Sequence, residues 1–269
     1  MPLTTDKDLA QRIEEGAIYL TEHYVYAYQK LTTQDDAKII NIAGGCATYI
    51  SAVIPPVMNR ATGLGLAGPT TESDMDIMEA FFAKNDCPSQ IDLCSIADAS
   101  LVELLGKRNY HITRFMNKHV LDISQDDASK HFPQAPPDII TEIAAGDDLD
   151  RWASIPNGDL PEDGVTLASL CCRLPNVHSY LAMINGEYVG CAAMLVHNGL
   201  ATLFYAYTLP DFRKRGVHNA LLRRRLNDAK GLDCDVAHVA TIPNSQSERD
   251  IQRYGFRLAY TCLSLKQYT

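Results

Sequence analysis

The chain has 269 residues, 46% hydrophobic and 21% charged, a globular composition with material for two domains of ordinary size. Its net charge of −9 speaks against a long nucleic acid as partner. With no apolar run of about 18 residues and no apolar core in the polar stretch 1–15, neither a membrane-spanning helix nor a secretory leader is expected.

Taken in order, the chain begins with a helix over about 6–28, where Ile13, Ala17, Leu20 and Tyr24 recur at helical spacing. Tyr19, Tyr24, Tyr26 and Tyr28 lie on it with no Arg or Lys between them, so they read as packing and not as a platform for bases. Short strands at 38–43 and 47–53 flank Gly44-Gly45, and Pro55-Pro56 breaks the chain. A strand at 57–63, a loop at 64–71, a helix at 72–84, a strand at 90–94, a helix at 100–106 and a strand at 110–115 follow. The polar stretch 124–137, with Pro133, Pro136 and Pro137, is the natural boundary.

Beyond it come a strand at 139–143 and short helices at 147–153 and 165–172. Strands at 178–184 and 187–196 enclose Asn185-Gly186, a hairpin signal, and Asn198-Gly199 turns into an apolar strand at 200–209. A helix at 216–230, a strand at 235–241, a helix at 247–254 and, after Gly255-Phe256, an apolar run to 265 complete the chain. The element order 57–115 matches 201–260, which reads as an internal duplication with little residue identity. The eight cysteines form no Cys-x-x-Cys pair and lie mostly in apolar segments, so they read as buried free thiols of a cytoplasmic protein; no metal site is expected.

The chemistry concentrates at Arg213-Lys214-Arg215-Gly216-Val217-His218-Asn219. Strand, basic turn and helix start coincide there, so backbone N–H groups without helical partners converge where the helix dipole is positive. Gly216 permits close approach or a positive φ. From Asp211 to Arg225 six basic residues stand against one acidic, a local balance of +5 on an acidic chain. Arg213 to His218 therefore read as a phosphate site, and Arg223, Arg224 and Arg225 as a solvated basic face. Neither the P-loop spacing nor Gly-x-Gly-x-x-Gly occurs.

Arg213 and Gly216 match the Arg/Gln-x-x-Gly-x-Gly/Ala loop of the GNAT superfamily of N-acetyltransferases, and His218 stands where Gly or Ala is usual. With the helix, Gly255-Phe256 and final strand, residues 138–269 resemble that family. The resemblance implies an α+β protein of two GNAT-like domains, each a mixed, mostly antiparallel sheet with flanking helices: a degenerate domain at 1–123, a linker at 124–137 and a catalytic domain at 138–269. It implies acetyl transfer from acetyl-CoA to a primary amine of a small molecule or peptide, without a metal. Tyr207, Thr208 and Leu209 would contact the pantetheine arm, and Arg213, Lys214, Arg215, Gly216, Val217, His218 and Asn219 the pyrophosphate. The family's usual thiolate acid is a Tyr four residues before the Gly of Gly-Phe; Ile251 occupies that position. Ser247 and Tyr207 stand in as candidate acids, and His238 as candidate base, with water as the alternative. Two other readings stay open: a non-catalytic acyl-CoA-binding module, and a nucleotide-dependent transferase, for which Asp211 is the one acidic residue beside the loop. The first half has Gly63-Leu64-Gly65-Leu66-Ala67-Gly68-Pro69 in place of the loop and opens its helix with Glu72, Asp74 and Asp76, where a phosphate would sit. An oligomer is left open.

Overall fold

In a computed structural model, residues 6–31, 36–50, 58–124, 134, 136–156 and 166–268 are described. Most of the expected linker at 124–137 lies outside them. The elements in chain order are α1 (Lys7–Leu31), β1 (Ala37–Ile42), β2 (Gly45–Ile50), β3 (Arg60–Thr62), α2 (Glu72–Lys84), β4 (Gln90–Cys94), α3 (Ala99–Lys107), β5 (Tyr110–Asp122), β6 (Ile139–Ile143), α4 (Asp148–Ser154), α5 (Leu167–Cys171), β7 (Val177–Ile184), β8 (Glu187–His197), β9 (Leu200–Thr208), α6 (Val217–Gly231), β10 (Val236–Thr241), α7 (Gln246–Arg253) and β11 (Arg257–Gln267). The class is α+β, with mostly antiparallel sheet.

The chain forms two compact units. Of the described residues, one holds Val120–Ala240 and Asp250–Arg257; the other holds those up to His119, Thr241–Arg249 and those from Leu258. In the first unit the strand order is β10-β9-β8-β7-β6. β6 to β9 form an antiparallel meander, and β10 runs parallel to β9. The hairpin between β7 and β8 turns on Asn185 (φ 51°) and Gly186 (φ 83°), the two positive values that a two-residue turn of this hand demands. One face of the sheet is covered by α6 through Val217, Leu221, Leu222 and Leu226, and Ile251, Tyr254 and Phe256 join the same core.

The second unit repeats this plan with the order β1-β2-β3-β4-β11-β5. β1, β2 and β3 are antiparallel neighbours, β4 is parallel to β3, and α2 and α3 follow β3 and β4 as α6 and α7 follow β9 and β10. Met75, Met78, Phe82, Leu101 and Leu105 of the two helices close its core. The strand that completes this sheet is the last of the chain: β11 pairs antiparallel with β4, Cys262 opposite Cys94 and Leu265 opposite Ile91. Leu265 is part of the same core. Tyr260 donates to Glu14 Oε1 of α1 at 2.6 Å, inside the unit. On α1, Tyr24 and Tyr28 are buried and Tyr19 stacks on His23 at 3.9 Å. All eight cysteines are free thiols, seven of them buried. Among the described residues no helix is long and apolar enough to cross a membrane.

Candidate functional site

The site grows out of the one parallel pair in the first unit. β9 and β10 are in register from Leu200↔Val236 to Leu203↔Val239, and there the pairing stops. At that point β9 carries a β-bulge. Ala193↔Phe204 is followed on the β8 side by Cys191↔Tyr207, so Tyr205 and Ala206 together face Ala192. Tyr205 takes a left-handed φ of 54°. A bulge bends its strand and increases its twist, so a gap beside β10 is expected where the ladder with β9 ends.

Past the bulge the chain returns to β8, where Leu209 N–H donates to Val189 O at 2.9 Å. Strand alternation then directs the backbone of Thr208 to the other side, where Arg213 Nε reaches its carbonyl at 3.4 Å. A short 3₁₀ turn, Pro210–Phe212, leads into the basic loop. Lys214 (φ 61°) and Gly216 (φ 90°) both lie in the left-handed region and reverse the chain into α6. Gly216 is the N-cap, and no side chain caps this helix. The first intrahelical bond is Ala220 N–H to Gly216 O, 3.0 Å, so the amides of Val217, His218 and Asn219 precede it. Arg213, Lys214 and Arg215 are exposed around them, and the Arg215 guanidinium stands 5.1 Å over the Phe212 ring.

Two close approaches lock this helix start. A Cβ on Gly190 would come within 2.7 Å of Val217 Cγ1, so the missing side chain lets α6 settle onto β8. A Cβ on Gly216 would come within 2.8 Å of the Pro136 ring. The loop residues 213–219 follow the strand end 207–209 with only the 3₁₀ turn 210–212 between them; Arg213, Lys214 and Arg215 are exposed and Val217 is buried. The arrangement suits an anion at the helix start and an extended chain lying along β9.

The candidate proton carriers are distributed differently. Tyr207 follows the bulge and is half-buried. His238 is 3% exposed and sits opposite Thr202 in the closed, paired part of the strands, its Nδ1 3.4 Å from Thr202 Oγ1. Ser247 is exposed on α7, in a segment that belongs to the other unit. Ile251 is 3% exposed in the core, and Tyr254 packs beside it.

The expected basic face of α6 is solvated only in part. Arg224 pairs with Asp228 at 3.0 Å and donates to Thr141 O at 2.9 Å. Arg225 is only 2% exposed. The signal was present in the spacing, because 225 lies four residues from Leu221 and from Ala229 on the apolar stripe of the helix.

His218 adds no charge to the loop at neutral pH. Burial pushes its pKa down to about 4, helped by the Arg225 charge and opposed by Asp250. An unfolded His titrates near about 6.5, so between that pH and about 4 the unfolded chain binds the extra proton and stability falls as pH falls. Above about 6.5 this contribution is complete. Urea midpoints should therefore drop from pH 7 to pH 5 by the equivalent of up to about 2 kcal/mol from this residue. His218→Gln should flatten that slope; equal slopes in both proteins would refute the assignment.

The matching place in the second unit is filled from within. Thr71 and Asp74 form a reciprocal capping box on α2. Arg108 gathers the acidic side chains there, bonding Glu72, Asp76 at 2.7 Å and Glu79 at 2.9 Å. The loop before α2 is tied down by Gly65 N–H to Ala43 O and Asp98 N–H to Gly65 O. The helix start is thus occupied by its own cap, and the single Arg108 charge is shared among three carboxylates, which leaves the place net negative.

Residues 138–256 match the family model of the Acetyltransferase (GNAT) family. No sequence of a characterised protein matches the chain. Among solved structures it is similar to a GCN5-related N-acetyltransferase from Kribbella flavida, with TM-score 0.65, 14% identity and coverage of 93% of this chain and 94% of that one. A tandem GNAT protein from the clavulanic acid biosynthesis pathway is similar at TM-score 0.65 and 9% identity, covering 99% of this chain and 97% of that one. A GCN5-related N-acetyltransferase from Sphaerobacter thermophilus follows at TM-score 0.58 and 14% identity, covering 86% and 75%. At these identities the likeness establishes the fold.

Proposed function

We propose that this tandem GNAT-like protein, with its GNAT domain at residues 138–256, acts through that half as an acyl-CoA-dependent N-acetyltransferase, moving acetyl from acetyl-CoA to a primary amine. The observation that carries the reading is the side-chain-free start of α6, ringed by Arg213, Lys214 and Arg215 at the mouth of the β9–β10 gap. The amides of the helix start and the exposed cations suit a pyrophosphate, and the gap suits the pantetheine arm along Tyr207, Thr208 and Leu209. Acyl transfer then needs a neutral amine, a polarised thioester carbonyl and a proton for the departing thiolate. Tyr207 and Ser247 are the proposed proton donors. His238, deep in the paired strands, would act as base only through water. The acidic chain favours a cationic acceptor, a small amine or a peptide.

Calorimetry of the full chain with acetyl-CoA tests this directly. One molecule should bind per chain, because the capping box and closed loop of the N-terminal half leave no second anion site. ATP with Mg²⁺ should not bind. A stoichiometry of two would refute the degenerate-copy reading. Free thiol should then appear when primary amines are added, and Tyr207→Phe or Ser247→Ala should lower kcat at unchanged acetyl-CoA affinity. A second reading, a non-catalytic acyl-CoA sensor, is favoured by Ile251, an apolar core residue at the family's usual Tyr position. Tight binding with no thiol release from an amine library would select it.

A further inference from the structure

Arg225 is a buried cation with an unusual set of partners. It lies in the third turn of α6 and is 2% exposed. No carboxylate pairs with it among the described residues; its partners are backbone carbonyls. Nε donates to Leu221 O at 3.2 Å, and Nη1 donates to Ala193 O at 3.1 Å and to Phe204 O at 3.5 Å. Burial lowers its pKa to about 10, which still leaves it charged at neutral pH. A buried charge without a counter-ion is costly, so carbonyl dipoles must replace the lost water.

The carbonyls it holds are not arbitrary. Ala193↔Phe204 is the last regular pair of β8 and β9 before the bulge. Phe204 is also the first residue of β9 beyond the pairing with β10. From α4, Trp152 holds the other side of the irregularity. Its Nε1 donates to Ala192 O at 3.0 Å, and its ring lies 5.2 Å from that of Tyr205. Ala192 is the residue on β8 that faces the two bulged residues. The bulge therefore has a brace on each helix, one a charge and one an indole.

The peptide between Phe204 and Tyr205 is planar and trans, so its C=O and N–H point in opposite directions. Holding Phe204 O toward Arg225 aims the N–H of Tyr205 away from α6, at the strand position where the gap opens. We propose that Arg225, seconded by Trp152, is the positioning residue that sets this peptide so that the Tyr205 N–H polarises the acyl carbonyl in the gap. This rests on the acyl-CoA reading above. Arg225 touches no substrate; its effect passes through the backbone of Phe204 and Tyr205. A lysine cannot reproduce it, because an ammonium lacks the planar fork that reaches Leu221, Ala193 and Phe204 together.

The test uses the full chain, acetyl-CoA labelled with ¹³C at the thioester carbonyl, and infrared difference spectra, so that no acceptor need be known. In the wild type the bound carbonyl band should lie below that of free acetyl-CoA. In Arg225→Lys it should return toward the free value while calorimetric Kd stays within about threefold, because the phosphate loop is untouched. Thiol release to any amine that turns over should fall about a hundredfold, the scale of an ångström of misplacement. An unshifted band in Arg225→Lys overturns the proposal, as does a parallel loss of Kd and melting temperature, which marks a merely structural residue. Should Arg225→Lys fail to fold, Trp152→Phe removes the donation to Ala192 O and part of the buried ring beside Tyr205, and should shift the band in the same direction; no shift refutes the brace. A wild-type chain that binds no acetyl-CoA removes the functional reading itself, a result separate from the comparison of variants.

Discussion

Gly216→Asp should abolish detectable acetyl-CoA binding. Three effects act together at this position. The residue sits at φ 90°, where a Cβ costs about 1–2 kcal/mol. The new Cβ would come within 2.8 Å of the Pro136 ring. The carboxylate would also stand at the helix start where the pyrophosphate is proposed to bind. Like charges about 4 Å apart repel by about 4 kcal/mol at an effective dielectric of about 20, close to a thousandfold in affinity. Strain and charge are separable. Gly216→Ala carries the strain and the contact with Pro136 without the charge. Arg213→Glu with Arg215→Glu carries the charge at two exposed positions, without the strain. The double variant should melt like the wild type and still lose at least tenfold in affinity. Unchanged calorimetric affinity in that variant would refute the phosphate assignment.

Ending the chain at Arg257 should unfold the N-terminal unit. The truncation removes β11, and with it the ladder from Gln90 to Cys94 of β4. It also removes Tyr260 and Leu265, which are 6% and 7% exposed, each contributing about 1.5–3 kcal/mol of burial. Glu14, 1% exposed, loses the Tyr260 hydroxyl, and an unsatisfied buried group costs about 1–3 kcal/mol more. These losses rival the whole margin of a domain, about 5–15 kcal/mol. Limited proteolysis should cut within residues 60–94 of the truncated chain and spare the same stretch in the full chain. Protection of β3 and β4 after truncation would show that β11 is dispensable.

Features with a local cause were legible in the sequence. Asn185-Gly186 turns a hairpin, the apolar stripe of α6 makes a helix, and the basic turn around Gly216 lies where strand gives way to helix. The bounds of α2, β4 and β6 are those of the sequence reading. Features that depend on distant partners were not. The pattern of 257–267 says that a strand forms and which face is apolar, but nothing in it names β4 as its neighbour, because period-two alternation is the same beside any strand. The bulge at Tyr205 carries no glycine to announce it, and its left-handed backbone is held by tertiary contacts. Arg225 was obscured by its two neighbours in sequence, which made a run of three arginines look like one solvated face. The crowding of Gly216 by Pro136 joins residues 80 positions apart, beyond the reach of any local motif.

The late arrival of β11 also governs how this protein can be made. Tyr260 meets Glu14 across 246 residues of sequence. A ribosome adding about 5–20 residues per second takes roughly 8–30 s to travel from the end of β4 to the start of β11. For that interval β4 has β3 on one side and no neighbour on the other, and an unpaired edge is a template for any other strand nearby. Closing so distant a pairing is intrinsically slow, so this half matures only once β11 has been made. At high concentration the same vacancy accepts the β11 of a second chain, and refolding from denaturant should yield exchanged dimers whose fraction rises with protein concentration.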